Sequence, residues 1–139
     1  MDVQVNYLAV LLAALSSMVV GMVWYAKPVF GTDWQKLVKL SDKDMKAWAP
    51  FALVVAFTSS LVMAYVLAHV AFLSNNFYHN SFLQDALTTG LWIWLGFQGL
   101  RLFMHDQFER RRKKLSIINA GNELATIMLM ALIIGLMKP

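Results

Sequence analysis

Four apolar blocks, 7–26, 51–73, 83–104 and 115–137, take up most of this chain of 139 residues. Each has the roughly 20 residues that a helix needs to cross the hydrocarbon core of a bilayer. They predict an all-α, polytopic membrane protein. Four transmembrane helices in two antiparallel hairpins would form a single domain over residues 1–139. Composition agrees. The chain is 59% hydrophobic and 14% charged, whereas soluble domains are about 45–50% apolar and about 25% charged.

Edge residues and charge set the expected orientation. The first block ends in Trp24 and Tyr25, an interfacial aromatic pair, followed by Lys27 and Pro28. It lacks a basic leading region and its positive charge lies after it, so it reads as a retained span and not a cleaved leader. Lys27, Lys36, Lys39, Lys43 and Lys46 occupy the first loop, and the run Arg110–Lys114 occupies the third. The N-terminal tail and the segment 74–82 hold no Lys or Arg, and Lys138 is the one cation at that side. The positive-inside rule therefore places both basic loops in the cytoplasm, with both termini outside. In the first loop, Trp34, Leu37 and Val38 recur at helical spacing with Lys36 and Lys39 opposite, and "SDKD" (Ser41–Asp44) reads as a helix start with Ser41 as N-cap. One or two short amphipathic helices on the inner membrane surface are expected there.

Small residues recur every four positions: Ala9, Ala13, Ser17 and Gly21 in the first block, and Ala52, Ala56, Ser60, Ala64 and Ala68 in the second. Such stripes let helix backbones approach closely in lipid. Gly121 with Ala125 and Ala131 with Gly135 are shorter versions in the fourth block.

The fourth block also carries Asn119, Asn122 and Glu123. Counted from Leu115, Glu123 lies about 12 Å deep at about 1.5 Å per residue. Gln98 and Arg101, near the end of the antiparallel third block, reach similar depths. Asn119, Glu123, Thr126 and Met130 share one helical face, as do Trp94, Gln98, Arg101 and His105 on the other helix. An ionised group in lipid costs about 2.5–3.5 kcal/mol on insertion scales, so it turns inward and finds a partner. The expectation is a buried polar site of Glu123, Arg101, Gln98, Asn119 and Asn122. Structurally this would be an Arg101–Glu123 pair fixing helix register. Functionally it would be a polar lumen, a proton site or a ligand site.

Other chemistries find little support. The basic residues sit at the ends of apolar blocks, as membrane proteins use them, which argues against a nucleic-acid partner. The absence of cysteine excludes thiolate metal sites and Cys nucleophiles. His69 and His79 lack a third ligand, and "FYHNSF" reads as an interfacial aromatic loop. There is no HExxH, P-loop, Gly-rich dinucleotide turn or GxSxG motif. No metal, no cofactor and no catalytic set is expected, and the protein reads as non-enzymatic.

"NYLAV" (Asn6–Val10), "WYAKPVFGTDW" (Trp24–Trp34), "LWIWLGF" (Leu91–Phe97) and "INAG" (Ile118–Gly121) occur in that order. Together they make the chain resemble the DUF1761 family of small bacterial membrane proteins. The resemblance spans almost the whole chain, and its most specific part is Trp24, Tyr25, Pro28, Phe30, Gly31 and Trp34. It implies a four-helix integral membrane protein and brings no biochemical activity. This chain departs from the family pattern at Asn122 and Glu123, where that pattern carries an aromatic residue and then His or Gln. Read from the residues, Pro28 stops a helix, Gly31 permits a turn with positive φ, and the aromatics anchor the turn at the headgroup level.

Four thin helices enclose little volume, so a homo-oligomer or an assembly with another membrane protein is expected, in contact with membrane lipids. The leading functional expectation is a channel-like or small-solute transport protein with the polar group on its path. The alternative is a non-catalytic accessory or scaffold subunit of a membrane complex.

Overall fold

A computed structural model of the chain describes residues 2–139. Among them the secondary structure is entirely helical. Helix α1 spans Tyr7–Trp24, α2 Thr32–Val38, α3 Asp42–Tyr78, α4 Phe82–Ile93, α5 Leu100–Phe108 and α6 Lys113–Leu136. Two π-helical turns, Lys27–Gly31 and Trp94–Gly99, join α1 to α2 and α4 to α5. Three helices, α1, α3 and α6, are long and apolar enough to cross a membrane. The backbone stays in the right-handed helical region through Ile93, Trp94, Gly99 and Leu100, so α4, the π turn and α5 form one rod from Phe82 to Phe108.

Local chemistry sets the boundaries. Asn6 caps α1 by accepting from the Ala9 amide at 3.1 Å. Ser41 and Asp44 form a reciprocal capping box at the start of α3. Ser41 is thus an N-cap, as its sequence context indicates, but the helix it opens does not end in the loop. It runs on through Pro50 to Tyr78, and its start at Asp42 lies nine residues before the expected start of the second block. Pro50 removes one backbone donor, and the capped turns before it hold the helix across that gap. The first loop accordingly contains one separate short helix, α2. Lys39, His79 and Arg110, each with positive φ, terminate α2, α3 and the turn after α5.

The four long rods pack as a ring: α1 against α3 and α6, and the α4–α5 rod against α3 and α6. Small residues let them close. Ala9, Ala13 and Ser17 on α1 are buried, as are Ser60, Ala64 and Ala68 on α3, and the Ser17 and Ser60 hydroxyls share a hydrogen bond of 2.7 Å. A Cβ on Gly90 would lie 3.0 Å from that of Ala131, and one on Gly135 would lie 2.8 Å from the backbone of Leu83, so α4 and α6 nearly touch. The core comprises Leu67 and Met130 amid alanines, closed by Phe82, Ile127 and Ile134.

The ring is tight at only one end. Asn6 donates to the Met137 carbonyl at 3.0 Å, which gathers both termini near the 79–81 turn. At the other end lie both basic loops. There α3 contributes nothing buried before Ser60: Ala56 is exposed, and Phe51 is 71% exposed. The small-residue stripe of α3 is therefore a packing surface only from Ser60 onward. At the basic end the first half of α3 is left without buried side chains.

Candidate functional site: a braced polar segment on α6

At the basic end one stretch of α6 gathers side chains from other parts of the chain. Three aromatic side chains from two other elements converge on it. Trp24 Nε1 donates to the Ile118 carbonyl at 3.0 Å. The Tyr25 hydroxyl donates to Asn119 Oδ1 at 3.0 Å. Trp94 Nε1 donates to the Ala120 carbonyl at 3.1 Å. A helix carbonyl has a second lone pair, so α6 accepts these bonds without giving up its own ladder.

Glycines make room for the rings. A Cβ on Gly121 would lie 2.9 Å from the Trp24 indole, and one on Gly99 would lie 2.7 Å from the Trp94 indole. Phe30 packs on Trp24 with ring centres 4.8 Å apart, and Trp34 packs on Tyr25 at 5.2 Å. Pro28 sits at the start of the π turn that folds these rings back. Gly31 has φ of −60°, so positive φ is not what it supplies. It is needed because any Cβ there would overlap the Tyr25 carbonyl oxygen. The rim motif and the polar residues of α6, separate features in the sequence, thus form one site in which the motif is a collar around residues 118–121.

Outside the bundle an ion pair fastens the collar. Lys114 Nζ lies 2.7 Å from Asp33 Oδ2, tying α2 to the start of α6. The hydrogen bond from Lys114, together with its charge, holds the Asp33 carboxyl below the usual carboxylate range.

Glu123 is half-buried on the same face of α6 as Thr126 and Met130, both buried. It forms no ion pair among the described residues. Arg101 is exposed and does not reach it. The expected Arg101–Glu123 pair is therefore absent, and the π turn is the physical reason. A π turn adds one residue to a helical turn, which rotates everything after it by about 100°. Arg101 and His105 leave the face that carries Trp94. Asp106 is buried in their place and lies 3.6 Å from Arg111 Nε.

Gln98 stays half-buried, and its Oε1 is buried without a hydrogen-bond partner, as is Nδ2 of Asn122. Of the expected polar set, Glu123, Gln98, Asn119 and Asn122 are partly buried, and Arg101 is outside. The sequence reading missed Ser116, wholly buried with an unpartnered hydroxyl. It also missed Asp85 at the opposite end, 1% exposed, which accepts from Asn75 at 2.8 Å and Asn80 at 3.0 Å. The signal for Asp85 was present: an acid four residues after Ser81, a natural N-cap, with two asparagines just upstream. A shallow groove of about 530 Å³, lined by Lys27, Lys36, Lys39 and Asp42, marks the outer surface of the basic end.

No curated protein and no solved structure matches this chain. A family model described as "Protein of unknown function (DUF1761)" matches residues 8–135. The collar residues Trp24 to Trp34 and the polar segment of α6 both lie inside that match, and the chain belongs to the DUF1761 family.

Proposed function

We propose that this is a four-span protein of the bacterial inner membrane that works as a homo-oligomeric, channel-like or small-solute transport protein, with its polar site at Glu123. The rod from Phe82 to Phe108 serves as the fourth crossing beside α1, α3 and α6. The cytoplasmic side is the basic end, by the concentration of Lys and Arg there, and both termini lie outside. α2 rests at the inner interface, where its exposed Lys36 and half-buried Trp34 and Leu37 suit it.

One observation carries this reading. Among the described residues Glu123 is half-buried without an ion-pair partner, and Gln98 Oε1 and Asn122 Nδ2 are buried without hydrogen-bond partners. Burying such groups unpaired costs several kcal/mol, so a bundle that needed only stability would do better with apolar side chains. Water or solute entering from the basic end would satisfy them. The unpacked first half of α3 supports association with a second copy.

A second reading has its own support. The close Gly–Ala contacts and the three indole and phenol bonds onto α6 make a rigid frame, which suits a non-catalytic accessory subunit. Purified protein in liposomes separates the two. Solute or ion flux that is lost on Glu123→Gln supports transport. Silence of the wild type, together with a membrane protein that co-purifies in fixed ratio, supports the accessory role.

A further inference from the structure

The groove at the basic end has a fixed frame. α2 stops at Lys39, whose φ of 58° turns the chain. Gln35 Nε2 then donates to Asp42 Oδ1 at 2.8 Å, which ties the end of α2 to the first residue of α3. At the start of α2, the Thr32 hydroxyl donates to the Lys27 carbonyl at 3.1 Å. All four of these hydrogen-bonding residues line the groove of about 530 Å³, a volume within the range of ligand sites.

Its charges are unbalanced. Lys27, Lys36 and Lys39 line it, and among the described residues Asp42 is the one carboxylate that does. None of the three lysines forms an ion pair among the described residues, and Asp42 already accepts from Gln35. Other cations of this end are matched: Lys114 pairs with Asp33, and Arg111 with Glu109. Lysines spread over a solvated surface need no ligand. Three along one groove repel one another, and an anion bound there relieves that repulsion. Ammonium groups are compact point charges that suit phosphate oxygens.

The neighbouring chain indicates which phosphate. Trp48 and Phe51, six and nine residues after Asp42, are 53% and 71% exposed, and Leu53, Val54 and Val55 continue the exposed apolar surface. At about 1.5 Å per residue this surface begins about 9 Å along α3 from Asp42. A free phosphate has no use for it. A phospholipid does, because the polar layer outside the hydrocarbon is only about 5–8 Å deep on each side. Basic pockets at the cytoplasmic side of membrane helices bind anionic headgroups.

We infer that the groove binds the headgroup of an anionic phospholipid, with Lys27, Lys36 and Lys39 as its counter-charges and the exposed start of α3 as the surface for its chains. This rests on the reading that the basic end meets a membrane, and it requires neither transport nor a particular orientation.

The test uses the full chain in maltoside micelles at about 0.15 M salt, where exposed charges are screened beyond about 8 Å. Phosphatidylglycerol or phosphatidylcholine is titrated in, and retained lipid is counted by native mass spectrometry. One phosphatidylglycerol should bind saturably per chain, and phosphatidylcholine far more weakly. Lys36→Gln with Lys39→Gln should weaken binding by about 30-fold, the worth of two lysines at an anionic headgroup. Lys43→Gln with Lys46→Gln removes the same charge from the same loop, but neither residue lines the groove. That pair should lower affinity less than about threefold under the same screening. Gln35→Ala alters no charge and should also weaken binding, by releasing Asp42. If Gln35→Ala does not fold, the two lysine pairs decide. Equal losses in those pairs would mean diffuse attraction and overturn the assignment, as would phosphatidylcholine bound as tightly. Inorganic phosphate that displaces the lipid at equal concentration would make this a free-phosphate site and overturn it too. A chain that stays in solution without detergent would overturn the membrane reading and this assignment with it. Groove-dependent lipid binding without flux in liposomes would refute transport and leave the assignment standing. Flux by a wild type that retains no phosphatidylglycerol would do the reverse.

Discussion

Glu123 and Arg101 illustrate how one inserted residue redirects a side chain. Helical spacing alone places Arg101 beside Gln98, at the depth of Asn119. The π turn Trp94–Gly99 turns it outward, and Glu123 has no counter-ion among the described residues. Two charges that do not touch do not couple. Arg101→Met should therefore change the melting temperature in detergent little, because surface substitutions stay within about 0.5 kcal/mol. Its effect should add to that of Glu123→Gln in the double variant. Partial rescue in the double variant would reveal a buried pair and contradict the placement of Arg101. What the sequence could not disclose here is the turn itself. Nothing in "WIWLGFQG" distinguishes a π turn from an α-helical one, except two glycines, of which Gly99 makes room for an indole.

The helices show where sequence patterns translate into packing and where they stop. Three of the four apolar blocks became helices of membrane length, and the small-residue stripes found partners on α1 and α3. The α3 stripe works only in part, because a repeat of small residues marks a possible contact without saying how far along two rods stay together. Ser60→Leu should cost about 1–3 kcal/mol through overpacking against Ser17, whereas Ala56→Leu, one turn earlier and exposed, should cost less than about 0.5 kcal/mol. Thermal unfolding in detergent compares them, and equal losses would mean that α3 packs along its whole length. The start of α3 was half legible: the capping box was visible, but the apolar block marks the span only from residue 51, and the capped turns carry the helix back to Asp42. α2 is tied to α6 by Asp33 and Lys114. Because the folded-state pKa of Asp33 is depressed, the stability this pair contributes is present at neutral pH and is lost as pH falls through that depressed value, below the ordinary 3.8. The melting temperatures of the wild type and Asp33→Asn should differ at pH 7 and converge in that acid range. A gap that persists there would assign the effect to something other than the ion pair.

Across the whole molecule, asymmetry between the two ends organises everything else. The terminal end is closed by Asn6, by the Asp85–Asn75–Asn80 cluster and by the Gly135 contact, while at the basic end α3 contributes no buried residue before Ser60. The sequence concentrates its cations in the 27–46 and 110–114 segments, and the Lys114–Asp33 pair joins those two segments at one end of the bundle. The convergence of Trp24, Tyr25 and Trp94 on that segment was not readable, because those residues lie far apart in the chain and meet only through the ring of helices. The central proposal is that water reaches Glu123 from the basic end and that this end faces the cytoplasm. The chain has no cysteine, so single cysteines report without background. Glu123→Cys should react with a membrane-impermeant thiol reagent in inside-out vesicles, as should Arg112→Cys, and neither should react in intact cells, where Asn76→Cys should. Labelling of Glu123→Cys from the outer face, or its silence in both preparations while the Arg112 and Asn76 sites respond as expected, would contradict the account.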